Sequence, residues 1–291
     1  MKKIITSSLL LALGFVSALA QTHTLTLTSN DETLGTVSYK VQDGALPGVF
    51  SVSTTKKVRF SKGNLQYQAS TKTWRFAEHQ YDYIGNNNKN ISSTYTGWID
   101  LFGWGTSGFD GKNPYMTSTT DSDYGNGDTN IAGTNYDWGV YNAISNGGNQ
   151  AGLWRTLTNA EWKYLLSTRS TSLRSLATVN GVRGLIILPD NWVKPAGISY
   201  TATTSNCTTN TYSAAQWTTM EDAGAVFLPA AGYRDGTSMI YVGTDGLYWS
   251  STDYGSFYAY DESFDSGDLY PSRYFIPRYL GHSVRLCADI K

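Results

Sequence analysis

Helix signals in this chain stop at Gly224, and that ordering constrains the fold more than any other feature. Two helix starts precede it. In Leu157-Thr158-Asn159-Ala160-Glu161-Trp162, Thr158 stands as an N-cap with Glu161 three residues on, a capping box, and Leu157 is placed to staple against Trp162. Trp162, Leu165 and Leu166 then share one helical face. Tyr212-Ser213-Ala214-Ala215-Gln216-Trp217 repeats the device, with Ser213 and Gln216 as the box, Tyr212 set against Trp217, and Gly224 as the stop. A shorter helix is expected over residues 137–144, ended by Asn146-Gly147. Beyond Gly224 only strand and turn patterns remain, over residues 226–229, 246–251, 258–265 and 283–288. A parallel sheet would interleave helices with its strands to the end, so the class implied is α+β with late antiparallel strands.

Upstream, residues 57–60 and 65–69 read as strands around Lys62-Gly63-Asn64, and Trp74-Arg75-Phe76 follows another turn. Residues 85–135, rich in Asn, Ser, Thr, Gly and Asp with scattered aromatics, predict long ordered loops. Residues 22–41 alternate as Thr24-Leu25-Thr26-Leu27-Thr28, turn at Asn30-Asp31 and resume through Val37, Tyr39 and Val41, a hairpin too short to fold alone. A break at residues 44–48 separates it from a body of about 245 residues, enough for one sizeable core, with no internal repeat.

Lys2-Lys3, an apolar run from Leu9 to Leu19 and Ala18-Leu19-Ala20 before Gln21 form the pattern of a secretory signal cleaved after Ala20. The apolar run is about a dozen residues, short of the roughly 20 a bilayer span needs, so an exported chain without a membrane span is expected. Three segments follow from this: residues 1–20 as signal, 21–44 as hairpin and 45–291 as the main domain.

Without Lys2 and Lys3, 20 of the 22 basic residues remain against 23 acidic ones, a formal charge of −3 that gives no strong attraction to nucleic acid or anionic lipid. Aromatics reach 14% with 21 tyrosines, while charged residues are only 15%, the balance favoured by recognition surfaces because Tyr gives contact area at small entropic cost. Cys207 and Cys287 are the only cysteines. An oxidising compartment permits a bridge, but two buried free thiols is the preferred reading.

No HExxH, GxSxG, P-loop or paired CxxC pattern occurs. His79, in Glu78-His79-Gln80, reads as a surface hydrogen-bonding residue, and nothing near His23 forms a ligand set. Glu161 is explained as a cap, Glu221 and Asp222 sit at a helix end, and Glu262 lies in a strand, so no carboxylate pair of the glycosidase kind emerges. The run from Asp121 to Asp128 has the oxygen density of a calcium loop, but Gly125 falls where a ligand is wanted and no bidentate Glu follows. A solvated turn is the default there. No cofactor or metal is expected.

Leu153-Trp154-Arg155-Thr156-Leu157-Thr158-Asn159-Ala160-Glu161-Trp162 resembles the Arg-Leu-Pro-Thr-x-x-Glu-Trp segment of C-type-lectin-like domains related to sulfatase-modifying factors. Tyr248-Trp249-Ser250-Ser251 and Gly281-His282-Ser283-Val284-Arg285-Leu286-Cys287 resemble the last strands of that fold, so the resemblance spans residues 50–291. The family's enzymes use a cysteine pair near the active site, whereas Cys287 here lies in the closing strand motif with only Cys207 elsewhere, so formylglycine chemistry is not implied. Its calcium-dependent sugar binders carry Glu-Pro-Asn or Gln-Pro-Asp and then Trp-Asn-Asp, where this chain has Trp249-Ser250-Ser251. The chain is also similar to gut Bacteroidetes surface proteins, including variable proteins of diversity-generating retroelements. In those, a cassette from Tyr-Trp-Ser-Ser-Thr to Gly-x-Ser-Val-Arg-Leu carries scattered variable positions.

The resemblance implies a non-catalytic binding module, with a protein or glycan ligand at a C-terminal surface formed within residues 248–287. The candidate contact residues are Asp253, Tyr254, Ser256, Phe257, Tyr258, Tyr260, Asp261, Ser263, Asp265, Asp268, Tyr270, Ser272, Arg273, Tyr274, Phe275, Ile276, Tyr279 and Leu280. Tyr248, Trp249, Phe264, Val284 and Leu286 are assigned to the core, and Glu262 to a fixed position. The segment is dense in Tyr, Phe, Asp and Arg and poor in aliphatics, as suits exposed anchors. An alternative reading is a structural or tip component of a surface filament, its N-terminal hairpin docking by strand addition.

Overall fold

The computed structural model describes residues 20–29 and 32–290. The signal segment up to residue 19 and the turn at Asn30-Asp31 lie outside the described residues. The architecture is mixed, with short antiparallel strands in several small sheets and few short helices. Ala20–Ser29 and Glu32–Gln42 pair antiparallel as a sheet of their own, as the alternation predicts.

Both capping boxes form. Thr158 caps Asn159–Lys163 and Ser213 caps Ala214–Asp222, each with its third helical residue returning the bond to the cap. The first helix continues as a π-helical turn, Tyr164–Thr168, that buries Leu165 and Leu166. The second stops at Gly224, whose φ of +92° suits a residue without Cβ. The helix expected over residues 137–144 is only Trp138–Tyr141. Asp137 caps it, but the same carboxylate also accepts bonds from the backbone and hydroxyl of Thr156, tying the start to another strand, while Asn142 turns extended and ends it.

A hairpin of Arg174–Val179 and Val182–Ile187, absent from the sequence reading, joins Val226–Pro229 and Thr211–Tyr212 in one sheet. Its turn is Asn180-Gly181, both at positive φ, which is a strong hairpin signal. A second four-stranded sheet brings the ends of the body together: Leu286–Asp289 lies between Lys57–Phe60 and Arg155–Thr156. Residues 85–135 are largely loop and short 3-10 turns, as expected.

Three strands, Gly246–Tyr254, Tyr258–Phe264 and Leu269–Pro277, form an antiparallel meander, here called the terminal sheet. Its base is wedged between two cores. Trp249, Ala259 and Ile276 join a cluster with Phe102, Trp104, Trp138 and Val284; Tyr248 and Phe264 join another with Phe60, Leu157, Trp162 and Leu185. The third cluster lies under the second helix, around Trp217 and Phe227. Cys207 and Cys287 are buried and unbridged. No helix among the described residues is long and apolar enough to cross a membrane.

Candidate functional site

The Tyr248-Trp249-Ser250-Ser251-Thr252 run shapes the terminal sheet. Tyr248 and Trp249 are fully buried, their polar atoms donating to the carbonyls of Pro229 and Phe102 at 2.8 and 2.7 Å. Between the pairs Trp249↔Asp261 and Asp253↔Ala259, residues Ser250, Ser251 and Thr252 face Tyr260 alone, a wide irregularity. Its surplus polar groups are satisfied locally. Ser250 Oγ donates to the Tyr260 carbonyl at 2.9 Å, Ser251 Oγ to that of Leu157 at 3.2 Å, and Thr252 Oγ1 accepts from the Asn159 amide at 3.0 Å.

The third strand carries two further bulges. Ala259 pairs with Ile276 and Asp261 with Arg273, so Tyr260 faces both Tyr274 and Phe275; Ser263 then pairs with Tyr270. Alternation breaks, and Arg273, Tyr274 and Phe275 all turn outward in succession. Phe275 takes the left-handed conformation at φ 61°. A bulky residue there costs about 1–2 kcal/mol relative to an unstrained backbone.

The outcome is one cluster of six rings at the free end of the sheet. Tyr254 packs against Tyr260, Tyr274 and Phe275 with centroids 5.2, 5.4 and 4.6 Å away. Tyr258 lies 5.6 Å from Phe275 and 6.5 Å from Phe257. Phe257, Tyr274 and Phe275 remain 52–54% exposed despite these contacts, so the rings shelter one another without forming core. Tyr254, Tyr258 and Tyr260 are half-buried.

Arg278, a residue outside the sequence-derived set, holds this end in place. It is fully buried, with its guanidinium 4.4 Å over the Trp104 ring. It donates to the carbonyls of Tyr258, Gly255 and Gly127 at 3.1, 2.8 and 2.7 Å, and its amide donates to Asp121 Oδ1 at 2.7 Å. The hairpin tip is thereby clamped to the 121–128 loop, where Asp121 serves as a backbone acceptor. Burial lowers the Arg278 pKa, opposed by Asp253, Asp128 and Asp121. The sequence offered one weak cue, an arginine inside an aromatic run.

The other expected contact residues divide by their surroundings. Asp261, Ser263 and Ile276 are corrections: each is buried, because their part of the sheet is the wedged base. Asp261 Oδ2 sits 3.3 Å from His282 Nδ1, and the fully buried His282 ring stacks on Trp249 at 4.2 Å. Burial lowers the His282 pKa, partly offset by Asp261. Glu262 is buried with no hydrogen-bond partner among the described residues, and burial, then Asp261, pushes its carboxyl well above the usual range. Leu280 packs on the first core. Asp265 Oδ1 accepts from the amides of Gly267 and Asp268 and so shapes a turn. Ser272 bonds to Asn159 at 2.8 Å, and Asp253 takes its amide bond to Asn130 at 2.9 Å.

Ser256, Asp268, Tyr270 and Arg273 are exposed and Tyr279 is half-buried. Tyr270 stands apart from the six rings, at a small polar pocket with Asp245, Asp265 and Arg273, where Arg273 Nη1 donates to Ser263 Oγ at 3.1 Å. Among the described residues no group of three or more His, Cys, Asp or Glu is arranged to hold a metal ion.

A family described as "Domain of unknown function (DUF8237)" matches residues 196–287, about a third of the chain, which takes in the second helix and the whole terminal sheet. No curated protein matches the chain, and no solved structure does.

Proposed function

We propose that this is an exported, non-catalytic ligand-binding protein whose C-type-lectin-like scaffold displays the ring cluster of the terminal sheet as its contact surface, in the manner of the variable proteins of diversity-generating retroelements. The observation that carries the reading is the cluster itself. Six aromatic rings share one tip of the sheet, three of them more than half exposed, on strands whose bases are locked in two cores. Rigid aromatic anchors on a braced frame lose little entropy on binding, which is how a small patch supplies most of an interface's energy. Phe257 and Phe275 lack hydroxyls, so their exposure favours a protein partner with apolar ground to cover. Asp261, Ser263 and Ile276 are excluded from the contact set by their burial.

The test is a crossed one. The triple variant Phe257→Ser, Tyr274→Ser, Phe275→Gly is expected to cost about 1–3 kcal/mol in total, because each half-exposed ring gives up only about half of a full burial and glycine relieves the left-handed position. It should abolish capture of the partner from an extract of the native surroundings, and direct binding of that partner once purified. Trp249→Ala should cost roughly 3–5 kcal/mol as a buried truncation and lose binding only with the fold. If the triple variant unfolds as badly as Trp249→Ala, or binds as well as the native chain, the reading fails. Diversification has its own check: a near-copy of the codons for residues 250–287, differing only at adenines, beside a reverse transcriptase gene.

A further inference from the structure

A second site lies away from the terminal sheet. An open cleft of about 440 Å³ runs between the segment after Thr73–Phe76 and the Asn180-Gly181 turn, and Arg75, Glu78, Tyr81, Asp82, Tyr83 and Asn180 line it. Its volume sits at the small end of the roughly 300–1,000 Å³ typical of small-molecule sites.

The polar groups that converge here are only partly spent on one another among the described residues. The Arg75 guanidinium is held flat, its carbon 3.8 Å over the Trp98 ring, with Nε donating to Oε1 of the buried Gln66 at 2.9 Å. Among the described residues neither terminal nitrogen has a hydrogen-bond partner, and Glu78 and Asp82 act on Arg75 electrostatically without forming an ion pair with it. Asp82 uses Oδ2 on the amide and ring of His79, at 2.9 and 3.2 Å, and keeps Oδ1 free. Tyr81 is braced by a 5.1 Å stack on His79, its interplanar angle 11°.

We infer that this cleft binds a neutral saccharide of one or two rings, independently of the aromatic tip. Arg75, Glu78 and Asn180 each end in a planar pair of polar atoms, which matches the spacing of adjacent sugar hydroxyls, and Asp82 adds its second carboxylate oxygen: a donor fork, one acceptor pair, one mixed pair and a single acceptor. Tyr81 and Tyr83 supply ring surface for the C–H face of a pyranose. One cation against two carboxylates disfavours an anionic ligand, and the donor fork disfavours a polycation.

The experiment is saturation-transfer NMR on the mature chain, at ligand concentrations on the order of 10 mM. The probes are methyl glycosides of glucose, galactose, mannose and xylose, N-acetylglucosamine, lactose and maltose, with glycylglycine and spermidine as controls. At least one saccharide should receive saturation and neither control should. Glu78→Gln, at an exposed position without a hydrogen-bond partner among the described residues, and Arg75→Lys, which keeps the cation but loses the fork, should each weaken that binding about tenfold with the melting midpoint retained. The triple variant of the aromatic tip should bind the sugar unchanged. The inference is overturned by silence from every saccharide, by saturation of either control, by binding that survives both cleft variants, or by loss of sugar binding in the tip variant.

Discussion

Arg278→Met isolates what the buried guanidinium contributes, because methionine fills most of the stem's volume and carries neither the charge nor the donors. Three side-chain hydrogen bonds disappear, to the carbonyls of Tyr258, Gly255 and Gly127. Gly255 and Gly127 are exposed, so their carbonyls can turn to water, and each lost bond, made by a charged donor, is worth about 1.5–3 kcal/mol at most. The contact with Trp104 at 4.4 Å adds roughly 1–2 kcal/mol for a desolvated pair. Against this, methionine escapes the desolvation that depresses the Arg278 pKa, so the net loss should be about 2–3 kcal/mol. For a domain of this size that is a fall of roughly 4–12 °C in melting midpoint.

The fall should be accompanied by faster amide hydrogen exchange at the hairpin tip, residues 254–258, and in the 121–128 loop, while the amides of Leu286–Asp289 slow or quicken only with global stability. The partner binding proposed for the ring cluster should weaken with the tip's order. Thermal unfolding followed by circular dichroism and exchange read by mass spectrometry make the measurement. A midpoint within about 1 °C of the native chain, with unchanged exchange at both segments, would refute the clamp.

Glu262→Gln should change the pH dependence of stability. The folded-state pKa of Glu262 is raised, so the native chain is favoured below the unfolded carboxyl value and loses stability as pH rises through the folded one. Glutamine does not titrate, so the variant's advantage in urea unfolding should grow from acid to mildly alkaline pH; a constant gap would sink the argument. Cys207 and Cys287 are buried and their thiol pKa values are raised, chiefly by burial, so iodoacetamide should label neither until the chain unfolds, and reductant should leave the melting midpoint in place. Rapid native labelling, or a midpoint that drops several degrees in reductant, would contradict the two free thiols.

Local chemistry was legible in the sequence wherever it is decided within a few residues. Thr158 and Glu161, Ser213 and Gln216, and Gly224 determine their own helix ends, because a cap is satisfied by neighbours in the chain. The strands 57–60 and 226–229 fall where alternation and apolar runs put them, and the segregation of helices from late strands follows. Asn180-Gly181 is likewise a local hairpin signal, with both residues at the positive φ such a turn requires.

Burial within the terminal sheet was another matter. Asp261 and Tyr260 are adjacent in one strand and look equally suited to a surface, yet one lies beside His282 inside the core and the other joins the ring cluster. That division depends on the cores into which the sheet's base is wedged and on bulges that let Arg273, Tyr274 and Phe275 all face outward, none of which a period of two can encode. Arg278 was invisible for the same reason: a charged side chain is buried only where carbonyls from distant segments converge on it, and Gly127, Gly255 and Tyr258 meet only in the folded chain.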